Sequence, residues 1–94
     1  MIRPPAVAGQ FYPGTSSEID ADLDRLIRLE AARRKAIAVV CPHAGWMYSG
    51  PTAGIVYSNI EIPDRVILIG PNHHGIGSQY AVFSAGSWLS LIHI

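Results

Sequence analysis

Apolar and polar residues follow two different rhythms along this chain. Thr15 is followed three positions later by Glu18, the signature of a capping box, and Ile19, Leu23, Leu26, Ile27 and Leu29 then recur at helical spacing. A first helix is therefore expected over residues 16–33. Ala36-Ile37-Ala38-Val39-Val40-Cys41 is a continuous apolar run, ended by Pro42, which forces extended geometry on Cys41. A short run of this kind between breakers suits a strand buried on both faces, as in a parallel sheet. Gly50-Pro51 opens a second helix with Pro51 at its first position, and Ala53, Val56, Tyr57 and Ile60 share one side of it. Pro63-Asp64 stops that helix. Arg65-Val66-Ile67-Leu68-Ile69 is a second buried strand, ended by Gly70-Pro71. Strand, helix and strand make a βαβ unit with parallel strands and a right-handed crossover. Residues 79–84 alternate enough for a third strand, and residues 1–15, rich in Pro and Gly around Phe11 and Tyr12, read as an ordered extended arm. The expected fold class is α/β, a partial parallel sheet built on that βαβ unit.

Composition narrows the class of protein. Ninety-four residues make one domain, and a charged fraction of 15% lies well below the ~25% usual for globular chains. So little charge leaves apolar area to be covered by a partner or by further sequence. Seven basic residues balance seven acidic ones, so no electrostatic footprint for nucleic acid exists. The basic group Arg25, Arg28, Arg33, Arg34 and Lys35 follows Asp20, Asp22 and Asp24, the order a helix dipole favours. One cysteine excludes an intrachain disulfide and suits a reducing compartment. No apolar run approaches the ~18 residues of a membrane span, and Met1-Ile2-Arg3-Pro4-Pro5 lacks the apolar core of a signal peptide, so a cytoplasmic location is expected.

Candidate chemistry gathers at the ends of the two apolar runs. Cys41-Pro42-His43-Ala44-Gly45 follows the first, and Gly70-Pro71-Asn72-His73-His74-Gly75 follows the second. Parallel strands would bring both loops to the carboxyl edge of the sheet, where open α/β folds bind ligands. Strands ~4.8 Å apart let His43 and His73 share one metal ion or one substrate. Two histidines do not complete a catalytic metal site, which takes three protein ligands as a rule. Cys41, two residues before His43, reads as a small buried hydrophobe. Trp46 and Tyr48 either wall a pocket or cover the sheet edge, and His74 stands next to His73 either as a pocket residue or as a surface histidine. Ser49 reads as a helix-cap residue rather than a nucleophile. Gly75-Ile76-Gly77 lacks the third glycine of a dinucleotide fingerprint, and no P-loop is present.

Three motifs together resemble the Memo-like family, the B proteins of the AmmeMemoRadiSam set in prokaryotes. They are Arg3-Pro4-Pro5-Ala6-Val7-Ala8-Gly9-Gln10-Phe11-Tyr12-Pro13, Pro42-His43-Ala44-Gly45-Trp46-Met47-Tyr48-Ser49-Gly50-Pro51 and Ile69-Gly70-Pro71-Asn72-His73-His74. The resemblance covers residues 3–88. It implies the N-terminal portion of a fold related to the class III extradiol dioxygenases, with His43 and His73 as metal ligands and Trp46, Tyr48 and His74 around a substrate pocket. It further implies Fe(II) or copper as cofactor and a metal-dependent oxidoreductase as the parent activity. A binder of a small molecule or peptide, or a metal-dependent hydrolase, would use the same cleft. Members of the family are about three times as long, and their further site residues, an Asp, a His and a Cys, have no match here. The chain is thus expected to be a single incomplete domain, inactive by itself, whose missing partner is the C-terminal portion of the same domain. Residues 89–94, which include His93, depart from the family's continuation and read as an atypical tail.

Overall fold

The computed structural model describes residues 1–28 and 32–92. It is an α/β chain with a partial parallel sheet, ordered β1 (Ile2–Arg3), α1 (Ser16–Leu26), α2 (Trp46–Ser58) and β2 (Ser87–Trp88). α1 starts where the capping box places it. Thr15 Oγ1 accepts from the Glu18 N–H at 3.4 Å and donates to the Glu18 carboxylate at 2.8 Å.

The helix ends at Leu26, short of residue 33. Ile27 turns extended, with φ −103° and ψ 121°, and the next N–H, that of Arg28, donates at 2.8 Å to Oγ of buried Ser58 on α2. A tertiary hydrogen bond thus replaces the helical one to Asp24. Residues 29–31 of the expected helix lie outside the described residues.

α2 begins earlier than Gly50-Pro51 suggests, with Gly45 at its N-cap and Pro51 inside it. The arm fixes that start. Phe11 C=O accepts from the Trp46 N–H at 2.8 Å, and the Tyr12 ring lies 5.7 Å from the Trp46 ring. Pro51 removes the N–H that would reach the Met47 carbonyl, a loss eased by the exposure of Met47 to solvent. The buried face of α2 is Gly50, Gly54 and Ser58, at steps of four, rather than the larger set Ala53, Val56, Tyr57 and Ile60. Small residues there let the helix backbones approach closely. A Cβ on Gly54 would run into the Leu26 carbonyl oxygen.

Three segments expected as strands, 36–41, 65–69 and 79–84, form no ladder in the structure. The stretches that carry the first two are nevertheless joined before and after the runs. They start together, where Arg34 N–H donates to Asn59 C=O at 2.9 Å and Glu61 N–H to Arg34 C=O at 2.8 Å, an isolated parallel bridge between Arg34 and Ile60. They finish together at His43 and His73. Between those points Ile37, Val40, Ile67, Leu68 and Ile69 are nearly fully exposed. A strand buried on both faces needs a layer on each side and a ladder partner on each edge. The two helices pack on each other, and the only buried large apolar side chain among the described residues is Ile19 of α1.

The parallel pair that does form comes from near the chain's two ends, a strand pairing that the pattern does not signal. Ile2 faces Ser87 and Arg3 faces Trp88, with Ser87 N–H donating to Met1 C=O and Leu89 N–H to Arg3 C=O, each at 2.9 Å. Gly86 enters the strand at φ +105°, where a Cβ would press on the Met1 carbonyl. The Arg3 guanidinium lies 4.6 Å over the Trp88 ring, and Phe83 meets that ring edge-on. No helix among the described residues is long and apolar enough to cross a membrane.

Candidate functional site

Each site histidine is positioned by its own loop. His43 lies between Pro42 and the N-cap of α2, whose first N–H is tied to the arm through Phe11. His73 lies in a turn that Asn72 closes by donating from Nδ2 to the Ile76 carbonyl at 3.0 Å, and Gly75 takes the positive φ of +61° that the reversal requires. The two loops bring His43 Nε2 to within 3.0 Å of His73 Nε2, with ring centroids 5.1 Å apart and planes tilted by 35°.

That separation serves two arrangements. As a bare pair, one imidazole donates its Nε2–H to the other. With both protons on Nδ1, both Nε2 atoms carry a free lone pair and can act as ligands. Two nitrogens each ~2.05 Å from one ion and 3.0 Å apart subtend about 94° at it, close to the right angle between neighbouring octahedral ligands. The pair therefore fits two coordination positions of a transition-metal ion. A third position is not supplied among the described residues, where no three His, Cys, Asp or Glu side chains gather.

A cleft of about 240 Å³ opens beside His43. Trp46 lines it, as the sequence suggests, together with Phe11, Tyr12, Cys41 and Tyr57. Tyr48, at 80% exposure, and His74, also exposed, lie outside this cleft. Ser49 also lines the cleft, but it is not the helix cap that the sequence suggests, because α2 starts one turn earlier with Gly45 at its N-cap; Ser49 Oγ, inside the helix, donates to the Ala44 carbonyl at 2.9 Å. Burial pushes the Tyr57 phenol above its ordinary value, and Cys41 adds to this through its charge and a side-chain hydrogen bond. Tyr57 was legible as part of a stripe, because Trp46, Ser49, Ala53 and Tyr57 recur on one side of α2. Tyr12 had no such signal, since a Pro-rich arm has no period. His93 lies outside the described residues.

These features define an α/β chain in which two apolar runs are joined before and after, and the loops that end them converge on a pair of imidazoles. A family model described as Memo-like protein matches residues 3–90, and the chain belongs to that family. A MEMO1 family protein of Aquifex aeolicus is 47% identical over 88 residues, covering 93% of this chain and 33% of the relative. A MEMO1 family protein of Thermococcus onnurineus is 44% identical over 96 residues, covering 96% of this chain and 33% of the relative. One from Pyrobaculum arsenaticum is 41% identical over 99 residues, covering 93% and 35%. The chain spans about a third of the length of the curated relatives it matches. No solved structure matches it.

Proposed function

We propose that this chain is the N-terminal portion of a metal-binding redox protein of the Memo-like family, in which His43 and His73 are two ligands of Fe(II) or copper. The observation that carries this reading is the 3.0 Å approach of the two Nε2 atoms, the spacing of neighbouring ligands on one ion. Neutral imidazoles protonated at Nδ1 would hold the ion through Nε2. Such an ion supplies Lewis acidity and a one-electron couple at positions left open by the protein. Trp46, Tyr12 and Phe11 form an apolar wall beside His43, which favours a ligand with an apolar body next to the coordinating nitrogens. Two imidazoles alone hold an ion weakly and do not enforce its geometry, so the 94 residues by themselves are expected to show no turnover.

The test uses copper(II) added to the chain and nitrogen hyperfine coupling in its electron paramagnetic resonance spectrum. Two imidazole nitrogens are expected in the unaltered chain and one fewer in His43→Ala and in His73→Ala, with weaker binding in each. A spectrum unchanged by either substitution would remove these histidines from the metal site.

A further inference from the structure

We propose that the His43 cleft continues across α2 into a second, apolar cavity, and that the two together take a single-chain amphiphile. Its chelating oxygen head lies beside His43 and His73, and its hydrocarbon tail, about ten carbons long, crosses α2 into the second cavity. The place of the head rests on the metal reading above; the place of the tail does not.

The second cavity, of about 370 Å³, is lined by Leu23, Leu26 and Ile27 from the end of α1, by Gly50 and Gly54 of α2, and by Ile62 beyond it. Trp46, Ala53 and Tyr57 line this cavity and the His43 cleft alike. On a helix turning about 100° per residue, these three positions fall within about 40° of one another. Ser49, which lines only the cleft, lies about 60° to one side of Trp46, and Gly54, which lines only the second cavity, lies about 80° to the other. Cleft and cavity therefore flank a single stripe of α2. Its two aromatic residues, Trp46 and Tyr57, stand roughly 16 Å apart along the axis. Between them this side of the helix carries only Ser49, Gly50, Ala53 and Gly54. No side chain longer than a hydroxymethyl group rises there, and a low saddle joins the two spaces.

The two ends differ in chemistry. His43, Cys41 and Ser49 give the cleft its polar groups, and a hydrogen bond to Cys41, which lines the cleft alone, holds the polar end of Tyr57 on that side. Among the described residues the only charged one lining the second cavity is Arg33, which is exposed and can keep its guanidinium in water while its methylenes form wall. The remaining walls are aliphatic, aromatic or glycine. Water in such a space finds few partners, so a hydrocarbon displaces it at a gain. A ligand that matches both ends carries its polar atoms at one end only. The path from the Ser49 flank to the Gly54 flank turns through about 140° at a radius of about 5–6 Å, or roughly 13 Å. An extended hydrocarbon advances about 1.3 Å per carbon, so about ten carbons span it.

Two measurements test this. With copper(II) bound, acetohydroxamate and decanohydroxamate present the same chelating head on a short and a long tail. Each buried methylene multiplies affinity about fourfold, so about four of them beyond the cleft predict binding of the long probe at least about a hundredfold tighter. Ala53→Leu raises the saddle with a good helix former and should cut the ratio of the two affinities to below about ten. Ile62→Gln, at a position that lines only the second cavity, is the companion variant should Ala53→Leu not fold, and should lower the ratio at least about fivefold. A ratio near one in the unaltered chain overturns the proposal. So does a large ratio that both variants leave intact, since the tail would then lie on exposed apolar surface. The second measurement needs no metal. n-Decanol is added to the chain, and nuclear Overhauser contacts are expected from its hydrocarbon to the methyls of Leu23 and Ile62. Their absence overturns the place of the tail whatever becomes of the metal. Contacts that appear while neither hydroxamate alters the copper spectrum uphold the tail's place, and the metal reading fails together with the place of the head.

Discussion

Gly54→Ala isolates the contact that joins the two helices. In an unconstrained helix interior the change stabilises by about 1 kcal/mol, because alanine loses less conformational freedom on folding. At Gly54 the new methyl is directed at the carbonyl group of Leu26, with the carbonyl carbon at 3.0 Å and the oxygen closer still. These are backbone atoms at the C-terminus of α1. They cannot turn aside as a side chain would, because Ile27 N–H is bound to Leu23 C=O at 2.8 Å and Arg28 N–H to Ser58 Oγ at 2.8 Å. Relief requires the helices to separate. Overpacking of this kind costs about 1–3 kcal/mol, and losing the Arg28–Ser58 bond adds about 1–2 kcal/mol. The net effect is a loss of about 1–4 kcal/mol after the propensity gain is subtracted. Gly50→Ala is the matched comparison. Its Cβ meets Trp46 Cβ at an ordinary contact distance of 3.5 Å, and the Leu26 methyls at 3.1 and 3.4 Å. That flexible end can rotate away, so the propensity gain of up to about 1 kcal/mol should dominate. Native-state amide exchange at residues 55–58 and far-ultraviolet ellipticity through a urea titration read both variants. The packing argument fails if Gly54→Ala protects these amides as well as Gly50→Ala does.

Three further outcomes are expected. Ser58→Ala removes the acceptor of the Arg28 N–H and should cost about 1–2 kcal/mol, seen as faster exchange of that amide. Thr15→Ala removes the N-cap acceptor and should lower the helicity of α1 by about 1 kcal/mol of capping energy, measured by far-ultraviolet ellipticity. Tyr57 should ionise above its ordinary value of 10.0 in a near-ultraviolet titration, owing first to burial and then to Cys41, so Cys41→Ala should bring it part of the way back. Because the folded value is raised, the neutral phenol's contribution to stability is intact below 10.0 and is lost as pH rises through the folded value. A stability that climbed with pH in that window would contradict this.

The two helices and the histidine pair were legible because their signals are local. A capping box needs only Thr15 and Glu18, and the loop histidines need only a breaker after each apolar run. The end of α1 was not legible, since Leu26, Ile27 and Leu29 continue the helical period while the stop comes from Ser58, thirty residues further on. The buried face of α2 was not legible from the apolar side Ala53, Val56, Tyr57 and Ile60, because periodicity weighs large apolar side chains. Here the contact is made by Gly50, Gly54 and Ser58, and the spacing of these small residues by four was the available clue. The apolar runs were read as strands buried on both faces, and the structure leaves them exposed and without a ladder. Burial is a demand on other segments, however, and the runs themselves do not say where those segments lie.

The return of the chain beside Arg34 follows from length matching across the crossover, and His43 meets His73 beyond it without a ladder between the runs. The first run has six residues and rises ~20 Å when extended. α2, with 13 residues, returns ~20 Å. The chain therefore comes back beside Arg34, where the parallel Ile60 bridge fixes it before the second run. From that bridge the chain takes nine residues to reach His43 and thirteen to reach His73, and the two imidazoles meet just past the breakers Pro42 and Gly70-Pro71. Inserting one helical turn into α2 would move the Ile60 end ~5.4 Å along the first run. The imidazoles would then no longer be level, and one ion could not reach both. The geometry of the pair thus depends on the length of α2 as much as on the histidines.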